Sequence, residues 1–458
     1  MVFSSILFIF RFLPIAFLIY YLTPYRLKNF TILILSLFFY SWGEPKYFPI
    51  MIASILVDFI ASRCIERFRS NKSLCISFLT LSIFFNMGML FFFKYANFFI
   101  DNINAVTTLE LTPIALTLPL GISFYTFQTL SYTIDVYLGK VKAERNIINF
   151  GAFVALFPQL IAGPIVKYTD INKALQSRTM NLAQIQDGVK LFILGLGSKV
   201  LIANNVGSLW TEVERLGLGS LSTPLAWLGL LAFGLQIYFD FSGYSLMAIG
   251  LGKMLGFDFP RNFNFPYISR SMTEFWRRWH ITLGSWFREY LYIPLGGNRK
   301  GLGRTYINLL VVWAFTGFWH GASWNFVLWG LFFFVLISIE KAGLLRFLEH
   351  SKVFSRVYVI FFLLISWGLF AITDLNLLGE FLGNLFTFQE GISPIYYLRN
   401  YLVTLIIACV FATPIISNLF NKIKHKEWLS NLIYLSIFLL SVAYLVDATY
   451  NPFLYFRF

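Results

Sequence analysis

Long apolar stretches alternate with short polar ones along the whole chain. A helix needs about 20 apolar residues to cross a bilayer, and several of these stretches are shorter. Short stretches indicate helices that are tilted, re-entrant or lining a cavity. The pattern therefore predicts an all-α polytopic membrane protein with about 11 to 13 membrane helices. The stretches are residues 2–22, 30–43, 48–63, 74–93, 113–137, 147–162, 186–204, 224–250, 306–320, 322–340, 356–373, 396–418 and 429–448.

The polar connections carry charge unevenly. Lys and Arg gather around residues 26–28, 63–72 and 140–145, whereas the intervening connections contain Glu44 with Lys46, and Asp101 with Glu110. Basic loops tend to stay in the cytoplasm, so this alternation predicts that the N-terminus lies on the outer side of the membrane. The first stretch has no cleavage site of the A-x-A type, and we expect it to be a retained helix.

Composition supports the membrane assignment. Charged residues make up 13% of the 458 residues and hydrophobic ones 58%. Ordinary globular proteins contain about 25% charged residues. So little polar surface excludes a soluble domain, a disordered chain and a nucleic-acid-binding protein. The net charge of +14 fits cytoplasmic loops that face anionic membrane lipid.

The most polar region follows residue 258, and residues 271–291 within it have an amphipathic pattern. At about 100° per residue, Phe275, Trp276, Trp279 and Trp286 fall on one face, opposite the arginines. This predicts one helix over 271–291 that lies along the membrane interface, with its aromatic face in lipid. His280, at the edge of the apolar face, is then expected to point inward.

His320 is the strongest candidate for chemistry. It lies in an apolar stretch, where an ionisable side chain is costly and indicates function. The small residues Gly317, Gly321, Ala322 and Ser323 predict open space for a substrate beside it. A neutral imidazole there can act as a general base. The alternative is a histidine that links two helices by hydrogen bonds. No carboxylate or histidine stands at a metal-ligand spacing, so we expect no metal.

Two further polar positions are weaker candidates. Asp240 lies within an apolar stretch and can orient a histidine, or form a buried structural ion pair, which the residues favour. Arg299 and Lys300 stand in the sequence Gly296-Gly-Asn-Arg-Lys-Gly301. This loop can hold the phosphates of an acyl-CoA, although an ordinary positive cytoplasmic loop is the favoured alternative.

Several motifs of the chain resemble the membrane-bound O-acyltransferase (MBOAT) family. They extend over nearly the whole sequence and are most similar to the bacterial polysaccharide O-acetylation branch. The motifs are Pro119-Leu-Gly-Ile-Ser-Phe-Tyr125, Ile161-Ala-Gly-Pro164, Tyr238-Phe-Asp-Phe-Ser-Gly-Tyr244, Pro266-Tyr-Ile-Ser269, Ser271-Met-Thr-Glu-Phe-Trp-Arg-Arg-Trp-His280, Leu291-Tyr-Ile-Pro-Leu-Gly-Gly-Asn298, Gly317-Phe-Trp-His320-Gly-Ala-Ser-Trp-Asn325 and Asn451-Pro-Phe-Leu-Tyr-Phe-Arg-Phe458.

The resemblance implies a single membrane domain over residues 1–458, with N-terminal helices to 145, a catalytic core over 146–345 and C-terminal helices after it. Helices of this fold surround a tunnel, and the family histidines match His320 and His280. The implied role of His320 is that of general base. Stabilisation of the oxyanion or binding of the substrate is implied for four other residues: His280, Trp279, Trp319 and Asn325.

By the same resemblance, acetyl-CoA is the acyl donor and no cofactor is bound. The acceptor is a polysaccharide of the peptidoglycan or alginate type. A periplasmic or membrane-anchored O-acetyltransferase is implied as partner, at a bacterial inner membrane whose outer side is the periplasm. Two alternatives stay open: the D-alanyl-transfer branch acting on teichoic acid, and a proton-coupled transporter or flippase, which also places His and Asp within the membrane.

Overall fold

A computed structural model describes residues 2–388, 390–447 and 454. In this part of the chain the regular elements are helices, and the sole strand-like feature is an isolated bridge between Leu221 and Ile392. Seven described helices are long and apolar enough to cross a membrane, or eight if Ile395–Phe411 and Ile415–Ile423, bent by 72°, form one span. The predicted all-α membrane fold is confirmed.

The backbone forms two compact units. One comprises Met1–Phe192 with Met247–Pro260, and the other Ile193–Leu246 with Arg261–Phe458. Two continuous helices, Leu182–Arg215 and Thr223–Met254, contribute to both units.

In the first unit, the helices Phe48–Arg67 and Lys72–Val106 are neighbours joined by a tight turn. Asn71 ends this turn, and its side chain accepts a hydrogen bond from the Leu74 amide at 3.2 Å, which caps the second helix. The helices of this unit are Phe8–Leu22, Lys28–Gly43, Phe48–Arg67, Lys72–Val106, Ile122–Tyr137, Ile147–Ala155, Phe157–Leu160 and Tyr168–Gln176, with the 3-10 turn Tyr25–Leu27.

One apolar stretch of this unit is only partly helical. The predicted helix over 113–137 begins at Ile122, because Gly121 before it adopts a φ of +71°. A Cβ on Gly121 would lie 2.5 Å from the Leu160 carbonyl oxygen, so the chain makes a close approach here that other residues would not fit.

In the second unit, Leu302–His320 packs closely along Trp324–His350. A Cβ on Gly317 would lie 2.3 Å from the Phe326 carbonyl oxygen and 3.2 Å from the Cα of Gly330. The helices of this unit are Met272–Arg278, Ile281–Phe287, the π-helical Arg288–Tyr292, Leu302–His320, Trp324–His350, Lys352–Ala371, Leu375–Asn384, Ile395–Phe411, Ile415–Ile423 and Glu427–Asp447, with the 3-10 turns Leu218–Ser220 and Pro266–Ile268.

Gly317 and Gly321 do not leave open space beside His320, contrary to the prediction for these two residues. Gly317 brings two helix backbones together, and a Cβ on Gly321 would lie 2.1 Å from the Phe326 ring. Protein atoms fill these positions because glycine lets helices approach closely, as is common between membrane helices.

Candidate active site

The predicted continuous helix over 271–291 is interrupted at its centre. Met272–Arg278 ends before Trp279, which is extended, and Ile281–Phe287 starts after His280. His280 has φ +43° and ψ +54°, in the left-handed region. That conformation costs a non-glycine residue roughly 1–2 kcal/mol, so contacts around His280 must hold it there.

Glu340 fixes the start of the first short helix. Its carboxylate accepts hydrogen bonds from the Met272 and Thr273 amides, the latter at 2.9 Å, and from the Thr273 hydroxyl at 2.7 Å. Glu340 is 1% exposed and belongs to Trp324–His350. A carboxylate at a helix N-terminus satisfies amides that have no partner within the helix. It therefore anchors the segment that leads to His280.

The aromatic face of this segment packs inside the protein. Trp279 is 2% exposed, and its ring centroid lies 5.1 Å from those of Phe263 and Trp367 and 5.5 Å from that of Phe275. The expectation that this face lies in lipid is wrong for Trp279, because neighbouring aromatic rings already cover it. The opposite face remains exposed at Arg277.

His280 is buried, at 1% exposure. Its ring contacts Phe241, with centroids 4.7 Å apart, and Trp319, at 6.1 Å. Its Nδ1 lies 3.2 Å from the Asn262 side-chain oxygen. Burial lowers the pKa of the His280 imidazole from 6.5 to about 3, because desolvation disfavours the charged ring. His280 is therefore neutral at physiological pH.

His320 ends the helix Leu302–His320 and is 3% exposed. Aromatic rings surround its imidazole: Trp329 at 4.9 Å, Trp319 at 5.0 Å and Phe370 at 5.4 Å between centroids. The Trp319 ring thus contacts both His280 and His320. The structure brings together three of the predicted site residues within one unit.

Asp240 forms a buried ion pair. Its Oδ1 lies 2.8 Å from the Lys199 Nζ, and each side chain is 2% exposed. Lys199 also donates to the Asn204 side-chain oxygen at 2.9 Å, and Asp240 Oδ2 accepts from the Leu454 amide at 2.9 Å. These contacts correspond to the structural alternative considered for Asp240, so a substrate-binding role stays a prediction that they disfavour.

The other predicted substrate groups lie in different settings. Asn325 is buried, and its side-chain nitrogen donates to the Leu369 and Phe370 carbonyls at 3.0 and 3.3 Å. The side-chain nitrogen of Asn325 therefore binds the end of Lys352–Ala371. Arg299 and Lys300 are exposed in a glycine-containing turn, where the Gly297 carbonyl accepts a hydrogen bond from Asn308 at 2.8 Å. Exposure leaves both cations accessible to a soluble anion.

Trp329 contributes an indole N–H beside His320. The side chain is 1% exposed, and its Nε1 has no hydrogen-bond partner among the described residues. A buried N–H without an acceptor is costly, and such groups often occur at functional sites. This N–H can therefore serve a bound ligand.

Sequence reasoning missed Lys199, Asn262 and Glu340 in the second unit, and the buried Asp58, which belongs to the first unit. Asp58 is fully buried and accepts from Ser82, from Asn86 at 2.9 Å and from Thr133 at 3.2 Å. Three of the four are ionisable residues in or beside apolar stretches, and that signal could have found them. Asn262 lies in a loop and gave no comparable signal.

The family model of the membrane-bound O-acyltransferases matches residues 141–382. The chain belongs to this family. It is 37% identical to the probable alginate O-acetylase of Pseudomonas putida, with 100% of both chains covered. It is 36% identical to the peptidoglycan O-acetyltransferase of Helicobacter pylori, covering 75% of this chain and 71% of that one. Similarity to the teichoic acid D-alanyltransferase of Streptococcus thermophilus is 32% identity over 49% of this chain and 57% of that one.

Membership of the MBOAT family confirms the resemblance found in the motifs. The chain is an acyltransferase enzyme and a multi-pass membrane protein. Residues 141–382 include His280, His320 and Asp240. The ending Asn451–Phe458, which also carried the resemblance, lies outside the described residues except for Leu454.

Proposed function

We propose that this enzyme transfers an acetyl group from cytoplasmic acetyl-CoA to a hydroxyl of a cell-envelope or extracellular polysaccharide, with His320 as general base. The observation that carries the proposal is the burial of His320 and His280 around the shared Trp319 ring, within the segment that the family model matches. The alginate and peptidoglycan O-acetylating relatives support the acetyl group and the glycan acceptor.

In this reaction the acceptor oxygen attacks the thioester carbonyl carbon while His320 takes the hydroxyl proton. The tetrahedral intermediate then breaks its C–S bond. The proton passes from the imidazolium to the leaving thiolate, so the products are the O-acetyl ester and free CoA thiol. His320 lies at a helix C-terminus, where the helix dipole favours the transient imidazolium.

The developing oxyanion needs hydrogen-bond donors in a site without water. Asn325 is poorly suited, because carbonyls of Lys352–Ala371 already accept from its amide nitrogen. The Trp329 indole N–H, on a ring that contacts His320, is better suited. We assign it to the oxyanion.

The exposed Arg299 and Lys300 are proposed to attract the CoA phosphates on the cytoplasmic side. The enzyme would lie in the bacterial inner membrane with its N-terminus in the periplasm, as the basic loops predict. A periplasmic or membrane-anchored O-acetyltransferase is the proposed partner that receives the acetyl group or delivers it to the glycan.

The D-alanyl-transferring relative supports a second candidate function, transfer of an aminoacyl group from a carrier-protein thioester to teichoic acid. A third candidate function is transport by a proton-coupled transporter or flippase, which breaks no thioester and so releases no thiol. Purified enzyme in nanodiscs, supplied with an oligosaccharide acceptor and either acetyl-CoA or aminoacyl carrier protein, separates them. Thiol release and ester formation from acetyl-CoA support the proposal.

His320→Ala should lower the acetyl-transfer rate by about 10²–10⁴-fold while the protein remains folded in the membrane. His350→Ala is the matched control, because His350 is exposed. The ester content of the cell-envelope glycan, measured in cells that express each variant, reads out both. Normal ester content with His320→Ala would contradict the assignment of the base.

A further inference from the structure

Asn262 and His280 lie side by side because the backbone segments that carry them are bonded to each other. The Ile281 amide donates to the Asn262 carbonyl at 2.9 Å, and the Asn264 amide donates to the Arg278 carbonyl at 2.9 Å. Both side chains are 1% exposed. The contact between the Asn262 side chain and the imidazole is therefore set by the fold.

The orientation of the Asn262 amide follows from its neighbours. The Thr282 backbone N–H, which can only donate, lies 3.3 Å from the Asn262 Oδ1, and the Thr282 hydroxyl lies 2.9 Å from the same oxygen. On the other side, Asn262 Nδ2 donates to the Ser245 hydroxyl at 3.1 Å. A turned-over amide would set two N–H donors against each other. Hence the oxygen faces His280.

An amide oxygen accepts and cannot donate. His280 Nδ1, 3.2 Å from this oxygen, must therefore carry a hydrogen. A neutral imidazole has a single N–H, so Nε2 then carries a lone pair. Burial among the uncharged Phe241, Phe263 and Trp319 rings keeps the imidazole neutral.

We infer that Asn262 is a positioning residue that holds His280 as the Nδ1–H tautomer, so that Nε2 of His280 accepts a hydrogen bond from a glycan hydroxyl other than the attacking one, whose proton His320 takes. In this role His280 cannot donate to the oxyanion, one of the roles that the family resemblance left open for it. No bond forms or breaks at His280. The substrate side of the inference rests on the proposed function, whereas the tautomer does not.

The tautomer can be measured directly in the intact protein. The chain has four histidines, so ¹⁵N-histidine labelling in nanodiscs gives few signals, and loss of a signal in His280→Gln assigns His280. Couplings of the ring-carbon protons to the two nitrogens identify the protonated one. We expect a protonated Nδ1 and an unprotonated Nε2. A protonated Nε2 in the wild-type protein would overturn the inference, even if acetyl transfer from acetyl-CoA is confirmed.

Kinetics of Asn262 variants test the functional part. Asn262→Leu removes the acceptor, and kcat should fall by about 10- to 10⁴-fold, the range seen when a functional imidazole loses its orienting partner. The KM for acetyl-CoA should change little. Asn384→Leu is the matched control, since that buried asparagine bonds Gly219 in a different part of the same unit. Equal kcat losses in both variants would show a general structural effect and overturn the role.

Asn262→Asp provides a rescue. A carboxylate still accepts from Nδ1–H, but it also raises the pKa of the imidazole. Below that raised pKa, His280 is doubly protonated and Nε2 has no lone pair. We expect activity near the wild-type value at high pH and a new loss of kcat on the acid side. An unshifted pH profile with full activity would overturn the inference. If Asn262→Leu does not fold, the tautomer of His280 in the wild-type protein and the pH profile of Asn262→Asp still test the inference.

Discussion

Lys199 and Asp240 form an ion pair 2.8 Å long in which each side chain is 2% exposed. Taking two charges out of water is expensive, and the pair compensates only while both partners and their additional hydrogen bonds are present. Asn204 and the Leu454 amide provide those bonds. This pair therefore ties three parts of the second unit together by electrostatics.

Removing one partner should be worse than removing both. Lys199→Met or Asp240→Leu alone leaves a buried charge unpaired and should cost about 3–5 kcal/mol of unfolding free energy, while the double variant should cost less than either single one. Thermal unfolding in detergent, arranged as a double-mutant cycle, measures this. The solvent-accessible pair Lys253 and Asp258, with side chains 29% and 74% exposed, is the control and should show little effect. Additive losses at 199 and 240 would contradict the coupling.

Gly317→Ala should separate the helices Leu302–His320 and Trp324–His350. The new methyl group would lie 2.3 Å from the Phe326 carbonyl oxygen, so we expect a loss of about 1–3 kcal/mol, as for overpacked cores, together with reduced activity because His320 moves. Gly303→Ala, in the same helix, meets no atom within 4 Å and should be neutral or slightly stabilising. Melting temperature and acetyl-transfer rate report both variants. Equal behaviour of the two alanines would refute the close-packing argument.

Charge-neutral variants of Arg299 and Lys300 should raise the KM for acetyl-CoA more than they lower kcat. The two cations attract the CoA phosphates equally in the bound substrate and in the transition state. Their loss therefore weakens acetyl-CoA binding and leaves the rate of the bound complex nearly unchanged. Raising the ionic strength should mimic the variants, because salt screens exposed charges. Lys424→Gln with Lys426→Gln, another exposed basic pair, is the control. An unchanged KM would contradict a role of Arg299 and Lys300 in donor binding and would favour an ordinary positive cytoplasmic loop.

Trp329→Phe should lower kcat while preserving the packing around His320. Phenylalanine keeps an aromatic ring but removes the indole N–H, and loss of one oxyanion donor costs about 10²–10³-fold in kcat. Trp367→Phe serves as a comparison in which a buried indole packs on Trp279 rather than His320. Comparable kcat values for Trp329→Phe and the wild type would exclude the indole as an oxyanion donor.

The fold was largely predictable because membrane helices follow local apolar length. Phe48–Arg67 and Lys352–Ala371 agree with the predicted stretches 48–63 and 356–373 to within a few residues. The interruption at His280 was not predictable by the same means. Periodicity at 100° per residue shows on which face of a helix each side chain would lie. A single residue with a left-handed backbone leaves this sequence pattern unchanged, so the pattern does not reveal the break.

For the site, the sequence indicated His280, His320 and Trp319 through motifs, and the structure places the Trp319 ring against both imidazoles. The sequence could not indicate which atoms pack against Gly317, because the small size of a residue does not show which residues lie next to it in the fold. Nor could it pair Asp240 with Lys199, since this contact depends on how two helices pack. Asn262 was missed because loop positions have no periodic signal.

The left-handed backbone at His280, with its φ of +43°, sets the direction in which the imidazole leaves the main chain. Glycine adopts this conformation without steric penalty. His280→Gly should therefore be better folded than His280→Ala, and should leave a ring-sized space lined by Phe241 and Trp319. Free imidazole diffusing into that space should restore part of the lost turnover in the glycine variant. In the glycine variant the main chain keeps its left-handed conformation while free imidazole replaces the missing ring, so a small molecule would complement the substitution chemically.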